Sequence, residues 1–336
     1  MDDVLASARR LASETSFSGV VRIDRGGEVL LEEAHGYAHR ALEIPNTVST
    51  RFAVASGVKG MTALTVACLI EAGSLSWDTT ARSILGQDLP LIDDAVTVEQ
   101  LMAHRSGIGD YFDEELEQPI TDYALHVPAY RLATTEGYLE ALDGYPMKFP
   151  PGERFSYCNA GFVVLALIAE RVSGTEFHDL VRERVTAPAG MRDTAFLRSD
   201  ELPGETAFGY LFEDGDRTNV LHLPVRGNGD GGIFSTARDL HAFWPALMAG
   251  RIVSDASFAE MTRPRSDVPR EEKRYGLGFW LHASGPGVIL EGYDAGVSFR
   301  TAHDPSNGVT YTVISNWSDG AWTLVELLDD HLLGHD

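Results

Sequence analysis

A serine and a lysine three residues apart could do chemistry in this chain: Ser56-Gly57-Val58-Lys59, at the head of an apolar run reaching Ile70. Apolar residues recur there at helical spacing, so Ser56 falls where a buried helix begins. Residues three apart on a helix share a face, which brings the Ser56 hydroxyl to the Lys59 amine. The chain holds three lysines, Lys59, Lys148 and Lys273, against 24 arginines. Arginine keeps its proton in a protein, whereas burial lowers a lysine pKa toward a neutral amine. A neutral amine beside a hydroxyl can take its proton and make it a nucleophile. The plain alternative is a capping serine with a lysine reaching out of the first turn.

Tyr157-Cys158-Asn159 is a second constellation, just ahead of an apolar helical run through Ile168. A tyrosine phenol titrates near pH 10, and a neighbouring ammonium favours the phenolate. Close to Lys59, Tyr157 could pass protons between Ser56 and a leaving group. Asn159 could accept from Lys59 and donate to a substrate carbonyl. The plain reading makes both residues caps of the helix that follows.

The rest of the chain must position these groups. Its 336 residues, 44% hydrophobic and 23% charged, suffice for one large domain or two intimately packed ones. A net charge of −23 argues against nucleic acid and anionic membrane as partners, and solubility accounts for it. Two cysteines, Cys68 and Cys158, make no disulfide framework and read as buried thiols. The first residues carry neither a basic nor an apolar leader segment, and no run is long enough to span a bilayer, so a cytoplasmic protein is expected.

Periodicity predicts an amphipathic helix over 2–14 and a hairpin from Phe17–Asp24 and Val29–Ala34 around Arg25-Gly26-Gly27-Glu28. Helices and long loops fill about 60–260, including a short helix opened by Val96–Met102 that ends at His104-Arg105-Ser106-Gly107. Tyr111–Glu117 reads as a solvated loop or lid. Gly229–Leu240 joins a glycine loop to a well-capped helix start and lacks the lysine of a phosphate loop. Strands are expected at Tyr275–Leu281, Val288–Glu291, Val297–Ala302 and Val309–Ser315, then a helix at Trp322–Leu333. The order predicts an α+β fold: an antiparallel sheet built from both chain ends (1–60 and 265–336) with flanking helices. An all-helical region (61–264) is inserted, with the active site between the two.

These residues together resemble the serine beta-lactamase and penicillin-binding protein superfamily, in the branch of class C beta-lactamases, D-alanyl-D-alanine carboxypeptidases and family VIII carboxylesterases. The pieces that carry the resemblance are Gly36-Tyr37-Ala38, Pro45-Asn46-Thr47, Thr50-Arg51-Phe52, Ser56-Gly57-Val58-Lys59, Leu101–Gly107, Pro151–Asn159, Gly190–Thr194, Gly231–Ala237 and Tyr275–Gly278, in order over nearly the whole chain. The resemblance implies a beta-lactamase-like fold, Ser56 as nucleophile, Lys59 and Tyr157 sharing proton transfer, and Asn159 orienting substrate and Lys59.

One element departs from the family pattern. Gly296–Arg300 leading to Asp304-Pro305 sets a register that puts the third motif on Leu290-Glu291-Gly292, where the family has Lys-Thr-Gly or His-x-Gly. Leu290 then replaces the group that helps hold a substrate carboxylate, while Gly292 leaves room for the Tyr293 N–H to join that of Ser56 as an oxyanion hole. A rival register on Asp294-Ala295-Gly296 lacks the cation too. Strand alternation puts Leu290 on the pocket side and Glu291 away from it. Were nitrocefin hydrolysed as well as the best ester, Arg300 on the adjoining strand would be the first candidate for the cation. The expectation is a serine hydrolase on small neutral esters that needs no cofactor. The alternatives are a D-amino-acid amidase or peptidase, a weak beta-lactamase, or a non-catalytic binding protein on the same scaffold. His331 and His335, four apart, lie at a helix C-terminus where the dipole favours them, and no metal site is read there.

Overall fold

The structure is a computed structural model that describes residues 1–116 and 119–333. Eight strands form one antiparallel sheet: β1 (Gly19–Arg25), β2 (Glu28–His35), β3 (Ser266–Val268), β4 (Lys273–Tyr275), β5 (Trp280–His282), β6 (Val288–Asp294), β7 (Val297–Asp304) and β8 (Val309–Ser315). Their order is β2-β1-β8-β7-β6-β5-β4-β3, so the N-terminal hairpin joins the C-terminal strands through the β1–β8 pair. The stretch expected as one strand from Tyr275 to Leu281 is two strands. Tyr275 pairs with Trp280 across a tight loop that holds Gly278 at φ +82°.

Strand alternation divides the sheet between two cores. Val21 and Ile23 of β1 and Tyr311 and Val313 of β8 face α1 (Asp2–Glu14) and α5 (Trp322–Leu332), where Ala8, Leu324 and Leu328 are buried. Val20, Leu290, Phe299 and Ile314 face the larger core. Through that core run α2 (Val58–Glu71), α3 (Asn159–Ser173) and α4 (Ala237–Met248). Helices α2 and α3 are apolar nearly all round and almost wholly buried, as a helix without a polar face must be. Cys158 is buried and Cys68 only partly so.

Two devices fix the ends that matter for the site. Strand pair Phe52–Ala53 with Phe234–Ser235 leads into a 3-10 turn, Ala55–Gly57, ahead of α2. Asp110 caps α3 from outside, with Oδ2 accepting from Asn159 N at 2.6 Å and Oδ1 from Ala160 N at 3.0 Å. No helix among the described residues is long and apolar enough to cross a membrane.

Candidate active site

Ser56 sits in the turn that opens α2, after Ala55, a non-glycine residue at φ +45°. Such a backbone is held only where its surroundings over-determine it. Here the constraint is β6: a Cβ on Gly292 would collide with the Val54 carbonyl oxygen and lie 2.8 Å from Ser56 N. Gly292 therefore lets the strand press against the serine's own backbone, with Tyr293 next along it.

The Lys59 amine is buried and lies 2.7 Å from Ser56 Oγ, 2.8 Å from Asn159 Oδ1 and 2.6 Å from the Asp230 carbonyl oxygen. Burial lowers its pKa from the ordinary 10.5, against the pull of Asp230, Glu114, Asp110 and Asp294. Lys59 Nζ is 5.0 Å from the centre of the Tyr157 ring, and Tyr157 lines the same groove as Ser56. The structure thus brings Ser56, Lys59, Tyr157 and Asn159 together. It corrects the phenolate expectation: burial, reinforced by Glu114 and Tyr275, holds the Tyr157 phenol well above pH 10, so the group is a proton donor at rest. Both Asn159 Nδ2 hydrogens are occupied by the protein, at Phe112 O (3.0 Å) and Glu114 Oε1 (3.0 Å). Asn159 is a positioner of Lys59 and leaves no amide hydrogen for a substrate.

The expected orientation along β6 is reversed. Leu290 is 2% exposed and packs on α2, where Gly60 has no side chain to block it. It lines neither cavity beside Ser56. The sheet face that Leu290 shares with Gly292 is covered by α2, so only Gly292 at its end reaches the serine. Glu291, assigned away from the pocket, lines the groove that runs past Ser56, Tyr157, Trp280 and Trp322, a space of about 510 Å³. Its carboxylate accepts from Lys273 Nζ at 2.9 and 3.1 Å and from Arg300 Nε at 2.6 Å. Arg300 is also held by Asp329. Burial and the Arg300 charge push the Lys273 ammonium down to about 7.

A second, deeper cavity of about 80 Å³ opens on the other side of Ser56 between Tyr111, Tyr123, Tyr138, Val225, Asp230 and Asp294. The Tyr111 hydroxyl donates to the Asp230 carboxylate. Burial pushes the Asp294 carboxyl up to about 7, and the Asp230 charge adds to that. The stretch read as a solvated loop or lid is exposed at Glu114–Leu116 and walls this site at its start: Tyr111 is buried, as is Asp110 just before it, and Phe112 and Glu114 hold Asn159. Glu117 lies outside the described residues. The glycine loop at 229–232, set aside in the sequence, supplies the Asp230 carbonyl and takes the Thr62 hydroxyl on Gly229 O at 2.7 Å. Of the missed residues, Lys273 carried a signal, as one of three lysines; Lys148 also sits by the site, holding Asp113 at 2.9 Å and Glu115 at 2.8 Å. His331 contacts Leu327 O at 2.9 Å and His335 lies outside the described residues. Among the described residues no group of three metal-ligating side chains occurs.

A serine turn pressed between a buried lysine, a tyrosine and a sheet strand, at the junction of an antiparallel sheet and a helical region, defines the beta-lactamase-like fold. The chain belongs to the Beta-lactamase family, whose model matches residues 8–333. A penicillin-binding protein from Bacillus halodurans superposes with a TM-score of 0.89 at 36% identity, covering 96% of this chain and 99% of that one. Penicillin-binding protein 4* of Bacillus subtilis is 29% identical over 290 residues, 82% of this chain and 62% of its own length. A D-aminopeptidase of Brucella anthropi is 28% identical over 285 residues, 82% of this chain and 51% of its own length. The chain thus spans about half to three fifths of these two curated relatives.

Proposed function

We propose that the chain is a serine acyl hydrolase acting on small esters that carry no carboxylate at the leaving group, a carboxylesterase working through an acyl-enzyme on Ser56. The observation that carries the substrate class is Glu291, which engages two of the three basic groups of the groove, Lys273 and Arg300, within 3.1 Å, leaving Arg270 at its exposed rim. A substrate carboxylate entering beside Glu291 meets a fixed negative charge on cations already engaged, whereas an uncharged ester has no such desolvation cost. Neutral Lys59 takes the Ser56 proton as Oγ attacks the carbonyl carbon. The oxyanion lies between the Ser56 and Tyr293 amides, and the Tyr157 phenol protonates the departing oxygen. Water, giving its proton to the Tyr157 phenolate, then attacks the acyl-enzyme, and Ser56 Oγ leaves with the proton held on Lys59 as the acid departs.

A second reading, hydrolysis of aminoacyl amides or peptides, is favoured by Asp230 and Asp294 on the wall of the deeper cavity, where an ammonium on the acyl side would meet negative charge. Its support also includes the likeness to a D-aminopeptidase. A panel of p-nitrophenyl esters, D-aminoacyl anilides and nitrocefin tests both. Neutral esters should lead in kcat/KM, and nitrocefin turnover matching the best ester would overturn the reading. Labelling by a fluorophosphonate probe, abolished in Ser56→Ala, separates an enzyme from a non-catalytic scaffold.

A further inference from the structure

His104 ends the short helix Val98–Met102, stands in the sequence beside neither Ser56 nor Tyr157, and has no part in the chemistry above. It is 1% exposed and takes φ +53°, a backbone that favours glycine or asparagine over histidine. Something therefore holds an imidazole at this place. Its carbonyl oxygen accepts from Ser156 N at 2.9 Å, and its ring Nδ1 accepts from Cys158 N at 3.0 Å. One residue thus grips the backbone on both sides of Tyr157. Its ring also lies against the Tyr157 ring, centroids 4.2 Å apart and tilted by 34°. Trp280 stacks on Tyr157 at 6.0 Å and 9°.

We propose that His104 is the positioning residue for Tyr157, clamping it by the two flanking amides and by one ring face so that the phenol is held at Ser56. The proposal rests on the reading of Tyr157 as proton donor to the leaving group. Accepting at Nδ1 puts the ring proton on Nε2, which has no hydrogen-bond partner among the described residues and lies among the rings of Tyr157, Phe162 and Tyr275. Burial, with Lys59 nearby, holds the imidazole well below its ordinary pKa, so the neutral tautomer persists and Nδ1 stays an acceptor. A proton donor off by an ångström loses much of its effect, while substrate binding in the two cavities is unaffected.

The test uses two variants and two leaving groups. His104→Phe keeps the ring face and removes the Nδ1 acceptor. His104→Asn keeps an acceptor and tolerates the positive φ but removes the face. Each is assayed on an alkyl ester, whose leaving oxygen needs a proton, and on the p-nitrophenyl ester of the same acid, whose leaving group needs none. We expect kcat on the alkyl ester to fall about tenfold or more, with a smaller fall on the p-nitrophenyl ester and KM within about twofold. In a Tyr157→Phe background the His104 changes should have almost no further effect, because the clamp then holds nothing that reacts. Equal losses on both esters, or full additional losses in the Tyr157→Phe background, would show a merely structural role and overturn the proposal. Undiminished alkyl-ester turnover in the two His104 variants, alongside a damaged Tyr157→Phe, would overturn the clamp alone. Full activity of Tyr157→Phe would remove Tyr157 from the reaction and the clamp with it.

Discussion

Of the three atoms around Lys59 Nζ, Asn159 Oδ1 and the Asp230 carbonyl can only accept, while the Ser56 hydroxyl can also donate. A neutral amine, with two hydrogens and one lone pair, satisfies all three at once. Among the described residues Lys59 makes no ion pair that would hold its proton. Lys59→Arg should therefore lose about a hundredfold to ten-thousandfold in kcat, since guanidinium keeps the charge and cannot take the Ser56 proton. Steady-state turnover of a short p-nitrophenyl ester checks it. The same logic fixes a pH limb: kcat/KM should rise with pH through a Lys59 pKa lowered from 10.5. In Glu291→Gln, Lys273 and Arg300 lose their shared counter-charge. The kcat/KM ratio of a carboxylate-bearing ester to its neutral methyl analogue should rise about tenfold, and an unchanged ratio would remove Glu291 as the selector. Ser56, Lys59, Tyr157 and Asn159 were legible because helical spacing and short motifs are local. Glu291, Asp230 and Asp294 were not, because their meaning depends on which sheet face α2 covers and on a loop some 170 residues from Lys59.

At the scale of elements, β6 and the turn before α2 act as one unit, since Gly292 is where strand backbone touches serine backbone. Gly292→Ala should displace the Tyr293 amide and cost about a hundredfold to a thousandfold in kcat, the effect of losing one oxyanion donor. Paired kcat and melting measurements on the variant decide it; a fully active, normally stable Gly292→Ala would place the oxyanion elsewhere. Regular elements were readable where alternation or helical period is unbroken: α1 and β8 have the bounds the sequence predicts. The period fails at Gly276–Gly278, where a bend splits one expected strand in two. Over Tyr111–Glu115 charge suggests a solvated loop or lid, and Glu114 and Glu115 are exposed; what it does not reveal is that Phe112 O and the Glu114 carboxylate hold Asn159.

At the scale of the molecule, the half-buried Asp294 sets a pH dependence of stability. The Asp294 carboxyl titrates near 7 in the fold and near 3.8 when unfolded, so the folded state binds the extra proton between those values. Its favourable contribution is full below about pH 4 and is lost as pH rises through about 7. Asp294→Asn carries no such loss, so its stability relative to the parent should rise from pH 4 to 7 and level off above. Denaturant unfolding of both proteins at pH 4, 5.5, 7 and 8 measures it; a constant difference would mean that the fold does not raise the Asp294 carboxyl.

Arg25 pairs with Val309 and Gly19 with Ser315, so β1 waits for a partner roughly 290 residues downstream. On a ribosome adding about 5 to 20 residues per second, that is a delay of about 15 to 60 s. Throughout it the early hairpin offers an open strand edge to any other nascent chain. The serine turn is in the same position, because β6, which supports it, emerges late. Synthesis speed and chaperone supply, more than the strength of any contact in the finished protein, should therefore govern how much active material a cell obtains.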